Sequence, residues 1–89
     1  MGAKFIPRKV KAEWGIGCNQ RADGTLWVGK GYGRTVEEEL GTDIAASAAV
    51  LLRRERASRA GRFWIDPNNR CVTIMIGEGD ENEYRQVEY

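Results

Sequence analysis

The chain has 89 residues, 42% hydrophobic and 30% charged, a composition typical of one small globular domain and not of a disordered or membrane protein. It contains no histidine, which excludes imidazole catalysis and His-ligated metals. Its 14 basic and 13 acidic side chains leave a net charge of +1, whereas a protein that coats nucleic acid through bulk charge is far more basic.

The charge is unevenly distributed along the chain. Residues 1–34 carry a net charge of +5, residues 35–61 carry −1 and residues 62–89 carry −3. The basic first third and acidic last third favour a directional surface that could pair head to tail between two copies.

The N-terminal segment is basic and contains no apolar run of the kind found in signal peptides. No 18-residue apolar stretch occurs, so we expect a cytoplasmic protein that does not interact with membranes.

We expect residues 1–89 to form a single domain, with residues 1–8 as a candidate flexible basic arm. The arm could extend a surface for an anionic ligand or could serve only as a solubilising terminus. The cations in and directly after this arm are Lys4, Arg8, Lys9 and Lys11.

Residues 14–33 are predicted to form a β-hairpin around Asp23-Gly24, the dipeptide that favours a two-residue type I′ turn. This turn places Ala22 opposite Thr25. In the same register, larger residues face glycines in the pairs Trp14–Gly33, Ile16–Gly31 and Cys18–Gly29. The glycines therefore have a structural explanation, and their spacing fits neither a P-loop nor a dinucleotide fingerprint.

A helical segment follows, and Thr35 and Glu38 fit a capping box. Gly41 interrupts the pattern, so either one helix spans residues 36–60 or a short turn precedes a helix over residues 43–60. Gly61 is predicted to end the helix as its C′ residue.

Residues 62–76 are predicted to form a second hairpin, with Asp66 and Pro67 opening a type I turn and Asn69 suited to left-handed backbone. Both strands are apolar enough to be central, and residues 83–89 are predicted to form a last strand. The fold class is therefore α+β: an antiparallel sheet of about five strands, hairpin–helix–hairpin plus a C-terminal strand, with one main helix packed on one face.

One helix cannot cover both faces of such a sheet, so we expect the uncovered face to be a partner surface. The aromatic residues spread along the strands favour this interpretation: Trp14, Trp27, Phe63, Trp64, Tyr84 and Tyr89.

Little in the sequence indicates catalysis. Cys18 and Cys71 are expected to be reduced core thiols, since no CxxC pair is present, and we expect no metal and no cofactor. Ser47 and Ser58 have no activating base. The acidic groups lie at a helix start or in the GEGDEN turn, where pKa values stay near normal. These are Glu37, Glu38, Glu39, Glu78, Asp80, Glu81 and Glu83.

Arginines are dense between residues 53 and 62, where they could bind phosphate or only satisfy the helix C-terminus. Together with the basic first hairpin they make a candidate surface for a partner or a nucleic acid. Its residues are Lys9, Lys11, Arg21, Trp27, Lys30, Tyr32, Arg34, Arg53, Arg54, Arg56 and Arg59.

A hairpin ending in Trp27-Val28-Gly29 is followed by Thr35-x-x-Glu38 and an alanine-rich helix. With this order of motifs, residues 8–57 resemble the three-stranded-sheet-plus-helix DNA-binding domains of plant AP2 factors and of phage integrase arm-binding domains. The resemblance implies base and phosphate contacts from the sheet face. The matching positions are Arg21, Trp27, Lys30 and Arg34. The Gly41 break and the second hairpin depart from that pattern.

Two functions follow as hypotheses. The first is a small non-enzymatic binding module, of regulator or inhibitor type, that acts on a protein partner and forms a homodimer. The alternative is a nucleic-acid-binding domain that uses the basic first hairpin and the arginine-rich helix end. A salt-dependent affinity for nucleic acid would separate the two.

Overall fold

The computed structural model describes residues 15–55, 61–75 and 84–89. It confirms the α+β class, with five antiparallel strands in one open sheet and one main helix. In chain order the elements are β1 (Ile16–Gln20), β2 (Leu26–Val28), α1 (Val36–Leu40), α2 (Thr42–Arg54), β3 (Arg62–Asp66), β4 (Cys71–Met75) and β5 (Tyr84–Glu88). The expected arm over residues 1–8, Trp14 and the GEGDEN turn lie outside the described residues.

The sheet order is β2-β1-β3-β4-β5, so the helices carry the chain from the β2 edge back to the other side of β1. Strand β1 therefore pairs with both β2 and β3. The β1–β3 ladder extends by one bond, in which the Gln20 N–H donates to the Gly61 carbonyl at 2.8 Å. Gly61 thus leads into β3. Its predicted role as the C′ residue of the helix is wrong, because α2 ends at Arg54.

The main core lies between the helices and one face of the sheet. Alternate residues of the strands point into it, as the period of two in β-structure requires. The largest side chain in this core, Phe63, has no exposed surface. The buried members are Cys18, Leu26, Val36, Ala48, Leu51, Leu52, Phe63, Ile65, Val72 and Ile74.

A second buried cluster lies on the opposite face of the sheet, where Trp64 contacts Tyr84 edge to face at 5.6 Å and Met75 completes the group. Trp64 is 7% exposed and Tyr84 is 2% exposed. The prediction of an open aromatic face is therefore wrong for these residues. It is also wrong for Phe63 and Tyr89, which pack in or against the main core. Of the described aromatic residues expected there, Trp27 alone is neither buried nor packed in either cluster.

The first hairpin has a different register from the predicted one. Trp27 lies opposite Asn19, one residue from the predicted pairing, because the turn contains three residues and not two. The Arg21 N–H donates to the Thr25 carbonyl at 2.9 Å, which closes a loop over residues 22–24. Gly24 alone in this loop has positive φ, at 93°. A type I turn followed by one left-handed residue is the usual three-residue hairpin loop.

Two helices, and not one, connect β2 to β3. The capping box at the start of α1 is present as predicted: the Glu38 N–H donates to the Thr35 hydroxyl at 3.1 Å, and the Thr35 N–H donates to the Glu38 carboxylate at 2.9 Å. Gly41 then separates the helices with φ 104°, a conformation that side chains disfavour.

The second hairpin forms as predicted, and β3 and β4 are inner strands. The Asp66 carboxylate opens the turn by accepting from the N–H groups of Asn68 and Asn69. The residue with left-handed backbone is Arg70, at φ 52°, and not Asn69. The Asn69 side chain instead donates to Asp66 at 2.8 Å.

Candidate nucleic-acid interface at the β2 edge

The first hairpin holds an arginine flat against a tryptophan. The Arg21 guanidinium carbon lies 3.8 Å from the centre of the Trp27 ring, within the range of a cation–π interaction. The Arg21 Nε donates to the Gly31 carbonyl at 2.9 Å, and Nη2 donates to the same oxygen. The carbonyl is neutral, and the described residues form no salt bridge with Arg21, although the guanidinium attracts the Asp23 carboxylate and helps to lower its pKa.

Hydrogen bonds within the turn also hold the tryptophan. The Trp27 Nε1 donates to the Thr25 hydroxyl at 2.9 Å, and that hydroxyl donates to the Asp23 carboxylate at 2.7 Å. The Thr25 hydroxyl, with the Thr25 N–H, holds the pKa of Asp23 below its ordinary value. The ring orientation is thus set before any ligand binds.

The edge of β2 continues into a glycine-rich loop over residues 29–33. Gly29, Gly31 and Gly33 all have positive φ, so the loop turns sharply beside the stacked pair. Lys30 is exposed, and Tyr32 is 62% exposed. The end of the loop is joined to β2 by a hydrogen bond in which the Val28 N–H donates to the Arg34 carbonyl at 2.9 Å.

Arg34 differs from the other cations of this edge because it has a carboxylate partner. Its Nε lies 3.1 Å from Glu39, and the two side chains are 66% and 42% exposed. A pair this exposed contributes about 1 kcal/mol or less to stability. Of the described cations nearby, Arg21, Lys30 and Arg62 form no ion pair.

The register places Arg62 of the central strand β3 on the same sheet face as Trp27, with β1 between them. Asn19 lies opposite Trp27 in β2 and opposite Arg62 in β3, so the three share the sheet face that points away from the helices. Arg62 is exposed. In the sequence, Arg62 lies close to the helix-end arginines. No local sequence pattern indicates that β3 pairs with β1, so its place near Trp27 was not predicted. We call the set at this edge, together with Arg62, the hairpin surface; it consists of Arg21, Trp27, Lys30, Tyr32, Arg34 and Arg62.

The structure separates the helix-end arginines from the hairpin surface. Arg53 and Arg54 are exposed at the end of α2, where the neighbouring Glu55 binds Arg85 of β5 at 2.8 Å. Strands β5 and β2 are the two edges of the sheet, four strand spacings or about 19 Å apart. The predicted single surface is therefore two surfaces in the described chain. Four predicted members of that surface lie outside the described residues: Lys9, Lys11, Arg56 and Arg59.

The described carboxylates and thiols have structural roles. Glu38 caps α1, and its bonds with the backbone and hydroxyl of Thr35 lower its pKa. Both cysteines are buried, and burial raises the pKa of the Cys18 thiol to about 12. Within residues 15–55, 61–75 and 84–89, no three acidic or cysteine side chains come together as a metal site would require.

No protein-family model, curated protein or solved structure matches the chain. The resemblance to AP2 and integrase arm-binding domains thus gains no support from these comparisons. In the described part of the chain, no helix is long and apolar enough to cross a membrane.

Proposed function

We propose that the protein is a small non-enzymatic domain that binds the phosphate backbone of a nucleic acid through the hairpin surface. The observation that carries the proposal is the Arg21 guanidinium, which lies over the Trp27 ring and, among the described residues, donates to the neutral Gly31 carbonyl. An arginine held in this way is preorganised to bind a phosphate, because its side chain loses little conformational entropy on binding.

The surrounding groups support the same ligand. Lys30 and Arg62 add two cations that form no ion pair with another described residue, one on the loop and one across the sheet. Tyr32 offers an exposed aromatic ring on which a base could stack. Cations interleaved with aromatic rings along one edge suit a chain of phosphates and bases better than a compact ligand.

The burial of Trp64 and Tyr84 on the sheet face away from the helices favours this function over a protein-binding role. A partner surface made of aromatic strands would need Trp64 and Tyr84 exposed, and they are 7% and 2% exposed. The solvent side of α2, where Val50 is exposed, is the feature that supports a protein-binding role.

The proposal that the protein is not an enzyme rests on the structural roles of the described carboxylates. Glu38 caps a helix, Glu39 pairs with Arg34, and Asp66 holds a turn. None of these carboxylates is buried, and the pKa values of Glu38 and Asp66 are lowered, whereas a general acid or base at neutral pH needs a raised one.

The test is a fluorescence anisotropy titration of a labelled 20-nucleotide single strand and of its duplex, at low salt. We expect the wild-type protein to bind at least one of them, and Arg21→Ala/Lys30→Ala to bind it about tenfold more weakly or worse, since two phosphate contacts are lost. The matched control is Arg70→Gln, which removes a charge from the β3–β4 turn at the opposite end of the strands. Absence of binding to both probes, or equal weakening by the control, would overturn the proposal.

A further inference from the structure

The solvent side of α2 carries an exposed apolar residue, Val50. Val50 is 54% exposed and, with Tyr32, is one of two exposed large hydrophobic residues in the described chain. Helix geometry places Asp43, Ala46 and Arg54 on the same side, at spacings of three, four and four residues around Val50. All four are exposed, whereas Ala48, Leu51 and Leu52 face the core.

A shallow groove lies beside Val50. Its volume is about 360 Å³, and it runs between α2 and the end of β5. Ser47 and Leu51 line it from the helix and Tyr89 from the end of the sheet. The groove is large enough to receive a valine side chain from outside.

This side of α2 carries opposite charges at its two ends, so it is complementary to the same side of a second, antiparallel α2. Asp43 lies at one end and Arg54 at the other, eleven residues or about 16 Å apart along the axis. Arg54 is 61% exposed, and its nearest carboxylate, Glu55, is 3.6 Å away. If a second α2 packs antiparallel about a two-fold axis between residues 48 and 49, each Asp43 meets an Arg54 of the other copy. In the same arrangement Val50 of one copy meets the groove beside Ser47 of the other.

We propose that the occupant of this surface is a second copy of the same chain, packed through antiparallel α2 helices. Such an interface is isologous, so one complementary contact forms twice. The inference does not depend on nucleic-acid binding. Trp27 and Arg62 of the hairpin surface lie on the sheet face that points away from the helices, so dimerisation through α2 leaves them uncovered.

The test is light scattering on a size-exclusion column, without nucleic acid, and it uses the symmetry of the contact. Asp43→Arg places two arginines opposite each other, and Arg54→Asp places two aspartates opposite each other. We expect the wild-type protein to elute with twice the chain mass and each variant with the mass of one chain. We expect an equal mixture of the two variants to recover the double mass, because every contact in the mixed dimer again joins opposite charges.

A second variant tests the same surface without changing Asp43 or Arg54. Val50→Arg is expected to give the single-chain mass, and Tyr32→Arg, which alters the other exposed apolar residue, is expected to keep the double mass. Circular dichroism establishes that each variant is folded. A wild-type protein of single-chain mass, a Val50→Arg variant of double mass, or a variant mixture that fails to recover the dimer would overturn the proposal.

Discussion

Arg21 and Trp27 are diagonal neighbours on one face of the first hairpin, with the guanidinium 3.8 Å from the ring centre. They share that face because the three-residue turn places Arg21 opposite Thr25 and Trp27 opposite Asn19. In the two-residue turn that Asp23-Gly24 predicted, Trp27 would lie opposite Gln20, and Arg21 would point to the other face. A one-residue difference in register therefore creates the proposed binding site.

The glycine at the start of β1 is expected to be the least replaceable glycine of the described hairpin. Gly15 has φ 107°, and a Cβ there would overlap the Ile65 carbonyl. We expect Gly15→Ala to lower the free energy of unfolding by about 3 kcal/mol or more. Gly24 is the control, since it has φ 93° but open space around it. Gly24→Ala should cost about 1–2 kcal/mol from backbone strain alone. Equal costs in urea denaturation would contradict the overlap.

Within the described part of the chain the buried hydroxyl of Thr73 has no hydrogen-bond partner, and the residue has no exposed surface. Replacing it by a methyl group removes an unsatisfied polar atom and keeps the shape of the side chain. We expect Thr73→Val to raise the free energy of unfolding by about 1 kcal/mol. Thr73→Ser keeps the hydroxyl and loses the methyl group, so it should lower that free energy by about 1 kcal/mol. A Thr73→Val protein less stable than the wild type would show that the hydroxyl is bonded.

Acid should destabilise the domain partly through the α1 cap. The Glu38 pKa in the folded protein lies below its ordinary value of 4.5, because Glu38 accepts from the Thr35 N–H. The ionised carboxylate therefore stabilises the fold above pH 4.5, and this contribution is lost as the pH falls through the lowered pKa. We expect Glu38→Gln to lose less stability than the wild type between pH 6 and pH 3, as measured by urea midpoints. Parallel curves for the two proteins would contradict the role of this carboxylate.

Local signals in the sequence predicted the approximate positions of the strands and the capping box, because each depends on neighbouring residues. They marked Gly41 as an interruption but left open whether one helix or two follow β2. The order of the strands was not predictable in the same way. The pairing of β1 with β3, which places Arg62 on the sheet face of Trp27, joins residues more than forty positions apart. The burial of Trp64 and Tyr84 depends on what covers a whole sheet face, and periodicity shows only that they share a face. The hairpin surface was therefore predicted in part, without Arg62 and with helix-end arginines that lie at the other edge.

The salt dependence of nucleic-acid affinity tests the central claim most directly. Each phosphate contact contributes about 0.7 to the slope of log affinity against log salt for a single strand and about 0.9 for a duplex. We predict a clear negative slope for the wild-type protein, a slope reduced by about one contact in Arg21→Gln, and an unchanged slope in Arg70→Gln. A wild-type affinity independent of salt, or an Arg21→Gln slope equal to that of the wild type, would contradict phosphate binding at the hairpin surface.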